Sequence, residues 1–125
     1  MKRVIGLGGI MFKSKDPKTL IAWYKKHLGL AIEDYGGTVF MWDDAMKPGE
    51  NRYSVWSVAP ETSKYFEPGK FSFMVNFMVE DLTALLDILK TEGVEIVGEP
   101  MDSEYGKFGW VLDPDGNKIE LWQPK

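Results

Sequence analysis

Apolar residues recur three and four apart in two stretches of the chain, and short alternating or apolar runs surround both. Leu20, Trp23, Tyr24, His27 and Leu28 carry the first helical pattern, which begins after Asp16-Pro17. Asp16 is a natural N-cap, proline suits the first helical position, and Gly29 stops the helix. Leu82, Leu85, Leu86 and Leu89 carry the second, between Asp81 and Gly93. Residues 10–14, 38–42, 53–58, 73–79, 94–97, 108–112 and 118–122 read as strands. The last two form a hairpin across Asp113-Pro114-Asp115-Gly116-Asn117, a sequence rich in turn formers.

These elements fall into two similar halves. Each half runs strand, capped helix, then strands, and the endings Ser54-Val55-Trp56 and Glu120-Leu121-Trp122 align in order. The pattern predicts one domain over residues 1–125. A first module covers about 1–60, a linker with Pro60, Pro68 and Gly69 covers about 61–70, and a second module covers about 71–125.

Composition narrows the chemistry. The chain has 125 residues, no cysteine and one histidine, His27. That excludes a disulfide scaffold, a thiolate metal site, a cysteine nucleophile and any site built from several imidazoles of one chain. The net charge of −4, with no basic block, argues against nucleic acid and anionic membranes as partners. The N-terminal apolar run is short, Lys13, Lys15 and Asp16 follow it, and no cleavage pattern is present, so it reads as a strand rather than a signal peptide. No stretch has the length of a membrane span, and a soluble, cytoplasmic protein is expected. Aromatic residues make up 14% of the chain, which sets abundant aromatic surface beside few catalytic residue types.

The C-terminal run from Tyr105-Gly106-Lys107-Phe108-Gly109-Trp110 through Asp113-Pro114-Asp115-Gly116-Asn117-Lys118-Ile119-Glu120-Leu121-Trp122 resembles the closing signature of the vicinal oxygen chelate superfamily. The segment from Asp16 to Leu30 is similar to that family's first helix. The family includes glyoxalase I, bleomycin and fosfomycin resistance proteins, and extradiol dioxygenases. The resemblance implies an α+β fold in which two tandem βαβββ modules form a curved mixed sheet around a cup, with helices outside. It also implies a homodimer.

Alternation assigns strand faces. Ile119 and Leu121 suit the helix side, which leaves Lys118, Glu120 and Trp122 facing the cup. Met74, Asn76 and Met78 face the cup on residues 73–79, and Met11 does so on the first strand. Ser54 and Trp56 are expected to match Glu120 and Trp122. The family's metal enzymes carry one ligand on each first strand and each last strand. Those positions here are Gly9, Met74, Ser54 and Glu120, and of these Glu120 alone is a good ligand for a hard divalent ion. The expectation is therefore no metal and no other cofactor, with Glu120 as the one residue a metal would use.

The expected ligand wall comprises Met11, Trp56, Met74, Asn76, Met78, Trp110, Glu120 and Trp122, with Trp42 and Phe40 nearby. The leading expectation is a small-molecule binding protein that holds an aromatic or partly apolar ligand. The alternatives are a lyase, isomerase or dioxygenase-type enzyme using Glu120 as base or ligand, and a non-catalytic interaction module. A gate over the cup mouth from residues 43–51 and a contact from Tyr105 are further expectations. Other signals reduce to local structure. Gly6-Leu7-Gly8-Gly9 lacks the third glycine and the helix of a dinucleotide loop. His27 suits the end of a helix, and Asp113 and Asp115 suit a turn.

Overall fold

The computed structural model describes residues 2–42 and 52–125. The expected gate at residues 43–51 lies outside the described residues. The elements run β1 (Val4–Ser14), α1 (Pro17–Leu28), β2 (Gly37–Met41), β3 (Tyr53–Pro60), β4 (Phe73–Val79), α2 (Leu82–Thr91), β5 (Met101–Ser103), β6 (Gly106–Leu112) and β7 (Lys118–Pro124). They form a mixed seven-stranded sheet in the order β2-β3-β1-β4-β7-β6-β5, curled as a half-barrel, in an α+β fold. No described helix is long and apolar enough to cross a membrane.

Local signals set both helices. The Asp16 carboxylate accepts from the Thr19 backbone N–H, and the Asp81 carboxylate accepts from that of Ala84. Each thereby satisfies a donor that the first helical turn leaves open. Gly29 follows α1 with φ 70°, and Gly93 follows α2 with φ 84°, a conformation that glycine adopts without strain. The Asp113 carboxylate accepts from the backbone N–H of Asp115 and of Asn117, and from the Asn117 side chain, which closes the β6–β7 turn.

The two halves meet through β1 and β4, which pair antiparallel. Superposing the helix caps Asp16 and Asp81 matches Gly9 to Met74 and Met11 to Asn76. In the ladder, Gly9 faces Asn76 and Met11 faces Met74. The match exchanges these two pairs, as a two-fold axis between the strands requires. Within each half the first strand also pairs parallel with the last, β1 with β3 and β4 with β7.

The elements differ from the sequence pattern in three places. β1 begins at Val4, because Gly6, Gly8 and Gly9 extend along β4 instead of breaking the strand. The expected strand at residues 94–97 is a single bridge from Ile96 to Val111, and β5 forms a little further on. Among the described residues the first half supplies three strands and the second four. Between Gly29 and the turn closed by the Glu33 N–H on the Gly37 carbonyl, too few residues remain for another ladder.

The halves are packed unequally. Leu82, Leu85 and Leu86 of α2 are buried with Val79, Val111 and Leu121. No residue of α1 is buried. Its contact with the sheet is aromatic, with Tyr24 against Phe12 and Trp56 at 6.4 and 4.7 Å between ring centroids. Leu20 and Leu85 hold equivalent positions after the two caps, but Leu20 is only partly buried. Leu85→Ala is expected to cost about 2–5 kcal/mol, as truncation of a buried leucine does. Leu20→Ala should cost less than half as much, with both read from urea unfolding midpoints.

Candidate functional site

A cavity of about 820 Å³ opens on the concave face of the sheet. Its floor carries Glu120, which is 5% exposed. A buried carboxylate needs donors, and the sheet register supplies two. Glu120 of β7 lies level with Asn76 of β4 on one side and with Trp110 of β6 on the other. Level neighbours share a face. Asn76 Nδ2 accordingly donates to Glu120 Oε1 at 2.6 Å, and Trp110 Nε1 donates to Oε2 at 2.9 Å.

The third donor comes from outside the sheet. The hydroxyl of Tyr65, in the connection between β3 and β4, also donates to Glu120 Oε2. Phe66 anchors that connection. It is 1% exposed and packs with Met74 and Trp110. Burial, and then the carboxylate beside it, push the Tyr65 phenol well above its usual range, so it remains a donor. Lys118 donates to the Tyr65 carbonyl, and its ammonium stands 5.0 Å from the Tyr65 ring centroid and 5.5 Å from that of Trp110. Burial pulls its pKa down, and the charge of Glu120 opposes that shift.

Trp122 forms the aromatic part of the wall. Its indole stacks on Phe108 at 5.9 Å with a 6° angle between planes, and it meets the Tyr53 ring edge-on at 5.2 Å. Its Nε1 donates to the Tyr105 carbonyl at 2.9 Å. Gly8 makes room for this group. A Cβ there would fall 1.9 Å from Asn76 Oδ1 and 3.1 Å from the Trp122 ring. That Asn76 oxygen is buried and has no hydrogen-bond donor among the described residues.

Five of the expected wall residues lie on the cavity: Met11, Met74, Asn76, Glu120 and Trp122. Trp110 stands behind the wall, 9% exposed, as a donor to Glu120. Met78 shares the face of Met74 and Asn76, but it is wholly buried and off the cavity. Gly6 and Trp122 flank it in the sheet.

Trp56 requires a correction. It packs against Phe12 and against Tyr24 of α1, on the convex side. The parallel ladders give the reason. Ile10 pairs with Trp56 as Val75 pairs with Ile119, and Met11 pairs with Ser57 as Asn76 pairs with Glu120. Ser57 is therefore the counterpart of Glu120, and Trp56 that of Ile119. Aligning Ser54 with Glu120 shifts β3 by three residues, an odd number, which turns every side chain to the wrong face. Ser54 is instead occupied with Trp42, which donates to its hydroxyl, and with the Leu7 carbonyl, to which it donates.

The corrected donor set does not fit a divalent metal. The four positions hold Gly9, Ser57, Met74 and Glu120, and both oxygens of Glu120 already accept protein donors. Among the described residues no three His, Cys, Asp or Glu side chains converge. Hard cations need several oxygen ligands.

Comparison with known proteins now bears on this arrangement. The profile of the Glyoxalase/Bleomycin resistance protein/Dioxygenase superfamily matches residues 6–121. The chain belongs to that superfamily. Methylmalonyl-CoA epimerase from Streptomyces coelicolor has a similar structure, with TM-score 0.69, 16% identity, and coverage of 97% of this chain and 98% of that one. The epimerase from Mycobacterium tuberculosis gives TM-score 0.66 at 22% identity over 100% of this chain and 91% of its own. The 2,3-dioxygenase LapB from Pseudomonas sp. KL28 gives 0.62 at 22% over 100% and 42%. At these identities the likeness is one of fold. In sequence, the uncharacterized protein YetH of Bacillus subtilis (strain 168) is 42% identical over 45 residues, which span 36% of this chain and 38% of YetH.

Tyr65, Ser57, Tyr35 and Tyr53 are cavity residues that the sequence pattern does not mark. For Tyr65 a signal exists, since Tyr65-Phe66 is an aromatic pair inside an otherwise polar connection. The donors to Glu120 have different expected weights. Trp110→Phe leaves a buried acceptor short of its donor and should cost about 1–3 kcal/mol. Tyr65→Phe should cost less, because Tyr65 is 36% exposed and water can reach the gap. Urea unfolding of both variants checks the order.

Proposed function

We propose that this member of the superfamily binds a small, partly apolar molecule in its cup and does so without a metal ion. The observation that carries the reading is the cavity itself. It is large enough for a drug-sized ligand, its wall is mostly apolar with six aromatic residues and three methionines, and a buried carboxylate marks one point on it. Methionines adapt to irregular shapes, while Tyr35 and Tyr105 offer exposed rings. Such a wall pays little to release water and gains apolar contact when filled.

Trp122 provides the readout. Titration with a panel of aromatic compounds should quench tryptophan fluorescence saturably, and Trp122→Phe should remove most of that quenching. Absence of saturable quenching across the panel, together with no heat of binding, would overturn the reading.

A second reading is enzymatic, as a lyase or isomerase without a metal. It is favoured by the phenol of Tyr65 held against the Glu120 carboxylate at the cavity wall, a donor and an acceptor side by side where a substrate would lie. Glu120→Gln would abolish turnover under that reading while leaving the fold intact, and an unchanged rate would end it. A cytoplasmic homodimer completes the proposal. Val4, Leu7, Ile10, Phe71 and Phe73 stay exposed on one chain, which is the kind of surface that a second copy covers.

A further inference from the structure

The charge on the cavity wall is one-sided. Among the described residues Glu120 is the one wall residue with a formal charge, and no described lysine, arginine or histidine lines the cavity. The ion pair found among the described residues is Arg3 with Glu92, at 2.8 Å on the surface. Glu120 is thus a buried carboxylate whose described partners, Asn76, Trp110 and Tyr65, are all neutral donors. Lys118, on the same face of β7 but not in the cavity lining, offsets part of its charge and is committed to the Tyr65 carbonyl and two rings.

The carboxylate also retains capacity. An ionised carboxylate offers about four acceptor sites. Among the described residues Oε2 uses two, on Tyr65 and Trp110, whereas Oε1 accepts from Asn76 alone. Oε1 thus has capacity for one further donor, and Glu120 is in the cavity lining.

The rest of the wall is suited to a cation. Tyr35, Tyr53, Tyr105, Phe108 and Trp122 all face the one cavity. Burial first, and then nearby phenols, push the Tyr35 and Tyr53 phenols up, so these two stay neutral. Neutral aromatic faces attract a cation through their quadrupoles, the more so where water is excluded. The protein already uses this attraction, placing Lys118 over Tyr65 and Trp110 and Lys13 over Phe66.

From the lone buried carboxylate and the aromatic wall around it, we infer that the cup selects organic cations: an aromatic or apolar body bearing a protonated amine or amidine, whose N–H bonds Glu120 Oε1. The inference rests on the proposal that the cup binds a small molecule, and it narrows the ligand class. Carboxylates and phosphates meet a negative charge that Lys118 offsets only in part and are disfavoured, so an acyl-CoA is a poor fit to this wall.

Three probes of matched shape separate the possibilities. 2-Naphthylmethylamine, 2-naphthylmethanol and 2-naphthoate are titrated calorimetrically into the full chain at neutral pH. The amine should bind at least tenfold more tightly than the alcohol, and the carboxylate most weakly. Glu120→Gln should reduce the preference for amine over alcohol to threefold or less. Tyr105→Leu alters an exposed residue at the cavity, so it tests the wall without threatening the fold, and it should weaken the amine more than the alcohol. Equal binding of amine and alcohol by the wild-type chain would overturn the cation inference and leave the cup reading standing. Tightest binding of the carboxylate would do the same. Binding of none of the three below 1 mM would overturn both.

Discussion

The antiparallel ladder between β1 and β4 holds the molecule together. Each half on its own is a small sheet with one helix, and the first half buries no residue of its helix. Hydrogen bonding along Val4–Phe12 joins the halves into one curled sheet and aligns their concave faces. Every feature of the cavity follows from that alignment. Met11 comes level with Met74, and Gly9 with Asn76. Gly8 beside them leaves the space that Asn76 and Trp122 fill.

Glu120 is the second constraint. Taking a carboxylate out of water costs several kcal/mol unless donors replace the lost hydration. The sheet can offer only the neighbours that its register brings level, and these are Asn76 and Trp110. The third donor comes from Tyr65, in the connection between the halves. That connection is thereby drawn over the edge of the cup, with Phe66 as its anchor. One buried charge explains the order in a stretch whose composition suggests only a linker. It also gives an otherwise apolar cavity its one fixed polar direction.

The two halves differ at the points that their two-fold relation matches. The second half packs a leucine-rich helix against the sheet and keeps a carboxylate on its last strand. The first half packs an aromatic helix and carries Ser57 at the matching point. Glycine, serine and methionine at three of the four symmetric positions remove the donors that a hard metal ion needs. What remains is a lopsided cup, acidic at one point and aromatic around it.

The sequence by itself determined the parts whose causes are local. Asp16 and Asp81 cap their helices, Gly29 and Gly93 follow them, and Asp113 closes the last turn within four residues. Alternation on β7 assigned Glu120 and Trp122 to one face correctly, because the short hairpin fixes that strand's register nearby. Tertiary structure decided the rest. β3 pairs in parallel with β1, more than forty residues earlier, and only that pairing fixes which of Ser54, Trp56 and Ser57 faces the cup. An alternating pattern is consistent with either face, and a shift of an odd number of residues exchanges them. Tyr65 meets Glu120 across 55 positions of chain. No periodicity encodes a contact of that span; it exists because folding leaves a buried charge in need of a donor and brings one within reach.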